Sequence, residues 1–588
     1  MERYIDDNWK ISSNFPAKYK TEVLYNEKNV ICREVEFSYV PEKERQTERK
    51  IMVEFSFPVL DISGRWYPVC GFDRSIKADW FPGVESMTSI SAPVVCFFNG
   101  KGENRHTIAL SEVKQKVNMQ YGIHEEDGTM LCRISMVLPR GLFPEGYKLK
   151  IWESRENEPY WDTLAGVRKW WESAPEWRMM KVPEAARNPF YSFWYSQHQS
   201  VNAESVEREC RMAAALGFSA VIIDDGWQTD DNNRGYAYCG DWEPAADKFP
   251  DFSQHVKNVQ DMGLKYLMWF SVPYVGKMSQ AWELFKDKLL YWNEFQQAGI
   301  LDIRYPKVRE YLKGIYGKAV KEWGIDGLKL DFIDEFYLYP DSPSFSEGMD
   351  YADVQEALDV LLTEVMEELT SVRPDILIEF RQRYIGPQIR KYGNLLRVSD
   401  CPGSGISNRV GIVDLRLLSG KTAVHSDMLM WHEAETAQDA ALQVLSCIFS
   451  TVQISVSLDK LTEEMRKMLL FWMAFMQEHK QLLQESQIKP QEPENLYPQV
   501  MAEDEKIQIL VQYSRGRTID LRRLHKCMYY IHAVKEEEVC IRLDPDSRTV
   551  YEIRDCMGEI AEEGVWDAVP VTDIVVPTGG MVQFLHEK

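Results

Sequence analysis

From about residue 188 to 480, short apolar runs alternate with amphipathic stretches. The runs read as strands are Phe190–Tyr195, Ala220–Asp225, Lys265–Phe270, Leu328–Phe332, Ile376–Phe380, Leu395–Asp400, Ala423–Asp427 and Gln453–Leu458. Between them, segments such as Ala203 to Leu216, Lys307 to Trp323 and Tyr351 to Val372 carry helical periodicity. Eight strand–helix alternations over about 290 residues predict a (β/α)8 TIM barrel. An open doubly wound sheet is the competing arrangement, but no strand is followed by a glycine-rich phosphate turn.

The flanks have a different rhythm. Val30–Phe37, Lys50–Phe57, Ala92–Phe98 and Met130–Met136 are short strand-like runs with turn signals such as Asn99-Gly100, and they predict an N-terminal β-sandwich. A helical connector with Trp161, Trp170, Trp171 and Trp177 follows. After the barrel, Thr462 is placed to cap a last helix ahead of Glu463 and Glu464, a helix expected to end near Glu485. Lys489-Pro490-Gln491-Glu492-Pro493 reads as a linker. Ile507–Val511, Met528–His532, Val539–Leu543 and Met581–Leu585 then predict a small C-terminal all-β domain. The expected division is residues 1–157 sandwich, 158–187 connector, 188–487 barrel and 488–588 C-terminal β-domain.

Within this pattern the fourth barrel strand, Gly327-Leu328-Lys329-Leu330-Asp331-Phe332, is unusual. Alternation puts Lys329 and Asp331 on one face and two leucines on the other. Charges are rarely buried unpaired, so the strand suits a barrel whose carboxyl end opens into a pocket, with Lys329 holding Asp331 ionised as a nucleophile. A structural salt bridge at a strand end accounts for the same residues. The other strand ends supply Asp224-Asp225-Gly226-Trp227-Gln228, Glu379-Phe380-Arg381, Arg397-Val398-Ser399-Asp400 and His425-Ser426-Asp427, all expected to face one mouth. Such a mouth serves either a divalent cation held by carboxylates or glycoside hydrolysis by a carboxylate pair. Lys329 disfavours a cation at Asp331. The 10 histidines show no paired metal spacing, and no Gly-x-Ser-x-Gly elbow occurs. Gly226 lets both Asp224 and Asp225 reach one ligand and accept sugar hydroxyls, although either can instead be a turn or capping aspartate. Trp227 and Trp242 fit a core role as well as a sugar-stacking one.

A net charge of -23 argues against nucleic acid or an anionic membrane surface as partner. No apolar run follows a basic start at Met1–Asp7, no stretch of 18 apolar residues occurs, and the 11 cysteines are scattered, so a cytoplasmic protein with reduced thiols is expected. A homo-oligomer is compatible with the chain, but no stretch identifies an interface.

Taken in order, Ile223-Asp224-Asp225-Gly226-Trp227-Gln228, Lys329-Leu330-Asp331 and Arg397-Val398-Ser399-Asp400 resemble the α-galactosidases of glycoside hydrolase family 36. The first and last are close in wording to the raffinose synthase-like relatives. Gly240-Asp241-Trp242 followed by Lys248-Phe249-Pro250 is similar to that family too. The resemblance covers about residues 188–480. It implies a retaining α-glycosidase without metal or other cofactor, acting on small oligosaccharides or glycosides. Asp331 is then the nucleophile and Asp400 the acid/base, Asp224 and Asp225 bind sugar hydroxyls with Lys329 and Arg397 helping, and Trp242 lines the pocket. The chain departs from the common pattern at two places. Phe380-Arg381-Gln382-Arg383-Tyr384-Ile385-Gly386 stands where many relatives have a cysteine and a glycine run, and Trp269-Phe270-Ser271-Val272-Pro273 replaces a glutamate-containing stretch. These departures leave the sugar open, N-acetylgalactosamine included. Arg381 and Arg383 read as an anion-binding pair or as solvated or salt-bridged arginines. Transfer to a sugar acceptor, as in raffinose synthases, is the alternative reaction, and a non-catalytic sugar-binding barrel is the alternative outside enzymes.

Overall fold

The computed structural model describes residues 3–4, 9–39, 49–138, 146–175, 177–381, 383–521, 527–543, 548–567 and 570–587. Most of the Met1–Asp7 stretch, and Gln382, lie outside the described residues.

Eight parallel strands form the central sheet: β1 (Phe190–Ser192), β2 (Ala220–Ile223), β3 (Lys265–Ser271), β4 (Gly327–Asp331), β5 (Leu377–Arg381), β6 (Leu395–Arg397), β7 (Ala423–His425) and β8 (Gln453–Ile454). Neighbours pair in sequence order from β1 to β7, and β8 returns to pair with β1. The remaining gap is met by single parallel bridges, His425 with Thr451 and Leu429 with Ile454. This is the TIM barrel the alternation predicts. Its strands are buried along their whole length, apart from half-buried Lys265 at the start of β3. That burial on both faces explains why they read as apolar runs rather than alternating ones.

Several strands are shorter than the apolar runs suggest. β1 stops at Ser192, and Trp194–Gln197 turns into a short helix. β2 stops at Ile223, one residue before the aspartate pair. The apolar content continues past the ladder because the residues there still face the interior of the barrel mouth. Between β3 and β4 lies an element the pattern did not indicate, a three-stranded antiparallel sheet of Tyr274–Gly276, Leu289–Asn293 and Ala298–Leu301.

Helices pack around the sheet with the expected caps. Ala203–Ala215 opens on a capping box between Asn202 and Ser205, and Val354–Val372 opens on Asp353, whose carboxylate accepts from the Glu356 amide. The Thr462 hydroxyl accepts from the Met465 amide at the head of Glu463–Glu478.

Ahead of the barrel, two six-stranded sheets face each other over a core that includes Ile11, Val53, Phe55, Phe37, Phe97 and Leu149. The helix Tyr160–Glu172 links this sandwich to the barrel. Behind the barrel come a seven-stranded and a three-stranded sheet. The stretch read as a linker is part of the larger one: Lys489–Pro490 pairs with Gln499–Glu503. Proline is tolerated there because the strand lies at the sheet edge.

The three layers meet at one buried carboxylate. Asp414, on the helix Gly405–Ser419, accepts from Trp66 Nε1 (2.8 Å), Arg74 Nη2 (3.1 Å) and the Tyr497 hydroxyl (2.6 Å). Trp66 and Arg74 belong to the sandwich and Tyr497 to the C-terminal region. A second junction joins the sandwich to the segment after β5, where the Ser91 amide donates to the Arg383 carbonyl at 2.5 Å. No helix among the described residues is long and apolar enough to cross a membrane. All eleven cysteines are free thiols.

Candidate active site

The carboxyl ends of β2, β4, β5 and β6 bring together Asp224, Asp331, Arg381 and Arg397, with Asp225 and Asp400 just beyond.

Asp331 is the last residue of β4 and 5% exposed. Its Oδ2 accepts from Trp269 Nε1 at 2.9 Å. Its Oδ1 accepts from the Phe332 amide at 2.8 Å and from Arg381 Nε. The chain turns sharply there, since Phe332 has φ +62°, an uncommon conformation for a bulky residue. That turn is what points the Phe332 amide back at the carboxylate. Lys329, expected to serve Asp331, is instead bonded across the barrel to Asp224 Oδ2 at 2.5 Å. The cation that compensates Asp331 is Arg381.

Asp400 lies past β6 and its side chain is 47% exposed. Arg397 Nη2 donates to its Oδ1 at 2.8 Å, and Arg381 Nη1 lies 3.7 Å from its Oδ2. Partial burial pushes this carboxyl up, but Arg397, then Lys329 and Arg381, outweigh burial and hold it well below the usual carboxylate range. Arg397 is buried and also binds Asp427 (2.5 Å), which in turn accepts from the Cys401 amide (2.6 Å) and the Tyr195 hydroxyl (3.1 Å).

Asp225 accepts from Gln199 Nε2 (2.6 Å) and Gln228 Nε2 (2.7 Å), and its amide donates to Asp224 Oδ1 (3.0 Å). Burial pushes its carboxyl up to about 6, against the pull of the two amides. Gly226 makes the geometry attainable. Its φ is +110°, and a Cβ there would run into the Cα of Gln199.

Beneath the mouth lies a buried polar layer. Glu379 sits 3.6 Å from Arg397 Nε and accepts from Gln453 Nε2 at 2.5 Å. His425 accepts from Gln453 Nε2 at Nδ1 (3.0 Å) and donates through Nε2 to the Ala186 carbonyl (2.7 Å), and burial pushes its imidazole down to about 3. Both residues were expected to face the mouth. Each is fully buried below it, and so forms its floor rather than its rim.

Trp242 is 2% exposed and packs against Trp227 (5.9 Å), Trp269 (5.9 Å) and Phe270 (5.3 Å). Trp242, expected to line the pocket, thus stands edge-to-face with Trp269, the indole that touches Asp331. Trp227 is core, and its Nε1 donates to the Trp269 carbonyl. Sequence reasoning missed Trp269, Gln199, Gln228 and Tyr195 as supporting residues. For Gln228 the signal was its place directly after the aspartate pair. Tyr195 and Trp269 stand at or near the carboxyl ends of the runs read as the first and third strands, and nothing local marks Gln199.

A cavity of about 240 Å³ beside Tyr195 is lined by Ser196, Trp431, His432, Ser455 and Lys460 among others. A larger one of about 570 Å³, with Asp230, Asp241, Glu243 and Leu284 in its walls, meets the site only through Gln228. Among the described residues no group of three or more His, Cys, Asp and Glu side chains is arranged to hold a metal ion.

The melibiase family model matches residues 185–486, slightly more than half the chain. The curated relatives include a probable α-galactosidase C from Aspergillus flavus, 24% identical over 214 residues, which are 34% of this chain and 27% of that protein. The α-galactosidase AgaA of Geobacillus stearothermophilus is 26% identical over 194 residues, 32% of this chain and 26% of its own. These matches span about a quarter of the relatives' length. The crystal structure of that AgaA, described as a glycoside hydrolase family 36 α-galactosidase, superposes with a TM-score of 0.65 at 14% identity, covering 99% of this chain and 83% of AgaA. AgaB from the same organism gives 0.63 at 14% identity, with 99% and 81% covered. At such identity the superpositions establish the fold, including both flanking β regions.

Proposed function

Because the chain belongs to the melibiase family, we propose that it is a retaining α-galactosidase-type exo-glycosidase, with Asp331 as nucleophile and Asp400 as acid/base. The observation that carries this reading is that both carboxylates lie within reach of one guanidinium, Arg381, at the mouth of the barrel. Retention requires carboxyl groups about 5–5.5 Å apart, and a shared guanidinium supports a spacing of that order.

In this reading Asp331 attacks the anomeric carbon from a fixed position. Trp269, the Phe332 amide and Arg381 leave it little rotational freedom, so little entropy remains to be lost on the way to the transition state. Asp400 is the more exposed of the two, as suits a group that meets the leaving oxygen and then water. Asp224 and Asp225, tied to Lys329 and to two amides, keep acceptor lone pairs for the hydroxyls of the sugar in the cleaved subsite. AgaA structures hold stachyose and raffinose, which supports small α-galactosides as the substrate class for this chain as well.

The test is release of nitrophenol from an aryl α-galactoside by the purified protein, with proton NMR of the first-formed sugar. Initial release of the α-anomer supports retention. Initial β-anomer overturns it. Asp331→Asn is expected to abolish turnover, and full activity in that variant would sink the assignment.

A further inference from the structure

Arg381 ends β5, is 9% exposed, and is held over the Phe332 ring with Cζ 4.6 Å from the centroid. Its charged partners are Asp331, through Nε, and Asp400, 3.7 Å from Nη1. Among the described residues no other carboxylate lies in ion-pair range of it. Among the described residues the other cations of the mouth make no ion pair with Asp331: Lys329 pairs with Asp224, and Arg397 with Asp400 at 2.8 Å as well as with Asp427 and Glu379. Tyr384, the remaining titratable group facing the guanidinium, donates its hydroxyl to Asp334 at 2.5 Å.

We propose that Arg381 is a positioning residue that serves the two carboxylates in turn, as counter-ion of Asp331 before glycosyl transfer and, beside Arg397, of Asp400 after it. The inference rests on Asp331 as nucleophile and Asp400 as acid/base. In the first step an Asp331 oxygen bonds to the anomeric carbon while the glycosidic C–O bond breaks. The electron pair leaves with the departing oxygen, which takes the proton of Asp400. Asp331 becomes a neutral ester and Asp400 an anion. In the second step Asp400 takes a proton from water, the water oxygen bonds to the anomeric carbon, and the ester bond breaks with its electron pair returning to Asp331. One negative charge thus crosses from one side of the guanidinium to the other and back. A cation already in contact with both sites follows that crossing by redistributing hydrogen bonds between Nε and Nη1. No charge has to be brought in from solvent, which is how preorganised dipoles and ions lower barriers. Arginine suits the task where lysine does not, because its donors are spread over a rigid fork.

The test is the pH profile of kcat/KM on an α-galactoside for wild type, Arg381→Gln and Arg381→Lys, with thermal unfolding as a check on folding. Removing a cation raises the pKa of any carboxylate it faces. In Arg381→Gln the alkaline limb of that profile, where Asp400 loses its proton, is therefore expected to move to higher pH, and kcat is expected to fall about tenfold or more as Asp331 loses the donor that fixes it. Arg381→Lys is expected to keep much of the shift from appearing and to recover part of the activity. A displaced limb with unaltered kcat, or a drop in kcat with the limb in place, overturns the shared role. If Arg381→Gln does not fold, a wild-type profile in Arg381→Lys together with unaltered kcat overturns the need for the fork. Turnover persisting in Asp331→Asn would instead overturn the reading on which the inference rests, and it is measured separately.

Discussion

At the scale of single residues, the pocket sets its carboxylates apart by environment. In the proposed role Asp400 works as an acid only while it carries a proton, and three cations hold its carboxyl low. The protonated fraction of free protein then shrinks as pH rises through the acidic range. We expect kcat/KM on an unactivated galactoside to fall over that range, and to stay flatter on a nitrophenyl galactoside, whose leaving group needs no proton. For the same reason Asp400→Asn should lower kcat/KM for the unactivated substrate by about 10²- to 10⁴-fold and spare kcat/KM for the activated one, whose kcat still falls because the attacking water loses its base. Asp225 is displaced the other way, up to about 6. It accepts sugar hydroxyls only when ionised, so the Kd for galactose, measured by calorimetry, should rise as pH falls through about 6. A flat Kd would remove Asp225 from the binding set. The placement of these carboxylates at one barrel mouth was legible in the sequence because each stands at the carboxyl end of an apolar run. Their partners were not. Alternation tells which face Lys329 occupies, but strand tilt and stagger around the barrel decide that it meets Asp224 rather than Asp331.

At the scale of elements, the eight strands were readable as buried parallel runs, while their ends were not, since β1, β6 and β7 have only three residues each in the ladder. The composition of a strand continues into the loop that builds the site, so an apolar pattern overshoots the hydrogen-bonded segment. The small sheet between β3 and β4 escaped for the opposite reason. Leu289–Asn293 mixes exposed and buried positions without clean alternation. Gly226 is where element geometry bears most directly on the site. An alanine there meets both a left-handed φ and the backbone of Gln199, the residue that orients Asp225. Gly226→Ala should lower stability by about 1–3 kcal/mol in thermal or urea unfolding and raise KM as Asp225 loses its fixed orientation. An unchanged KM would separate the turn from the pocket.

At the scale of the whole molecule, one carboxylate joins the sandwich, a barrel helix and the C-terminal sheets. Its partners lie 340 and 83 positions away in sequence, which is why no local pattern reveals it. Asp414→Ala leaves Arg74 buried without its anion. We expect a loss of about 3–5 kcal/mol in urea unfolding, with Asp414→Asn milder because it keeps an acceptor for Trp66. The junction between Ser91 and Arg383 has a different reach. Through it the sandwich grips the segment that follows Arg381, and Trp177 from the connector adds a bond to the Pro387 carbonyl at 2.9 Å. The rim of the pocket is therefore specified by two distant stretches of gene. A recombinant that pairs this barrel with the sandwich of a paralogue would inherit the donor's way of bracing the β5 loop, so that a crossover far from the aspartates becomes a route by which substrate preference drifts.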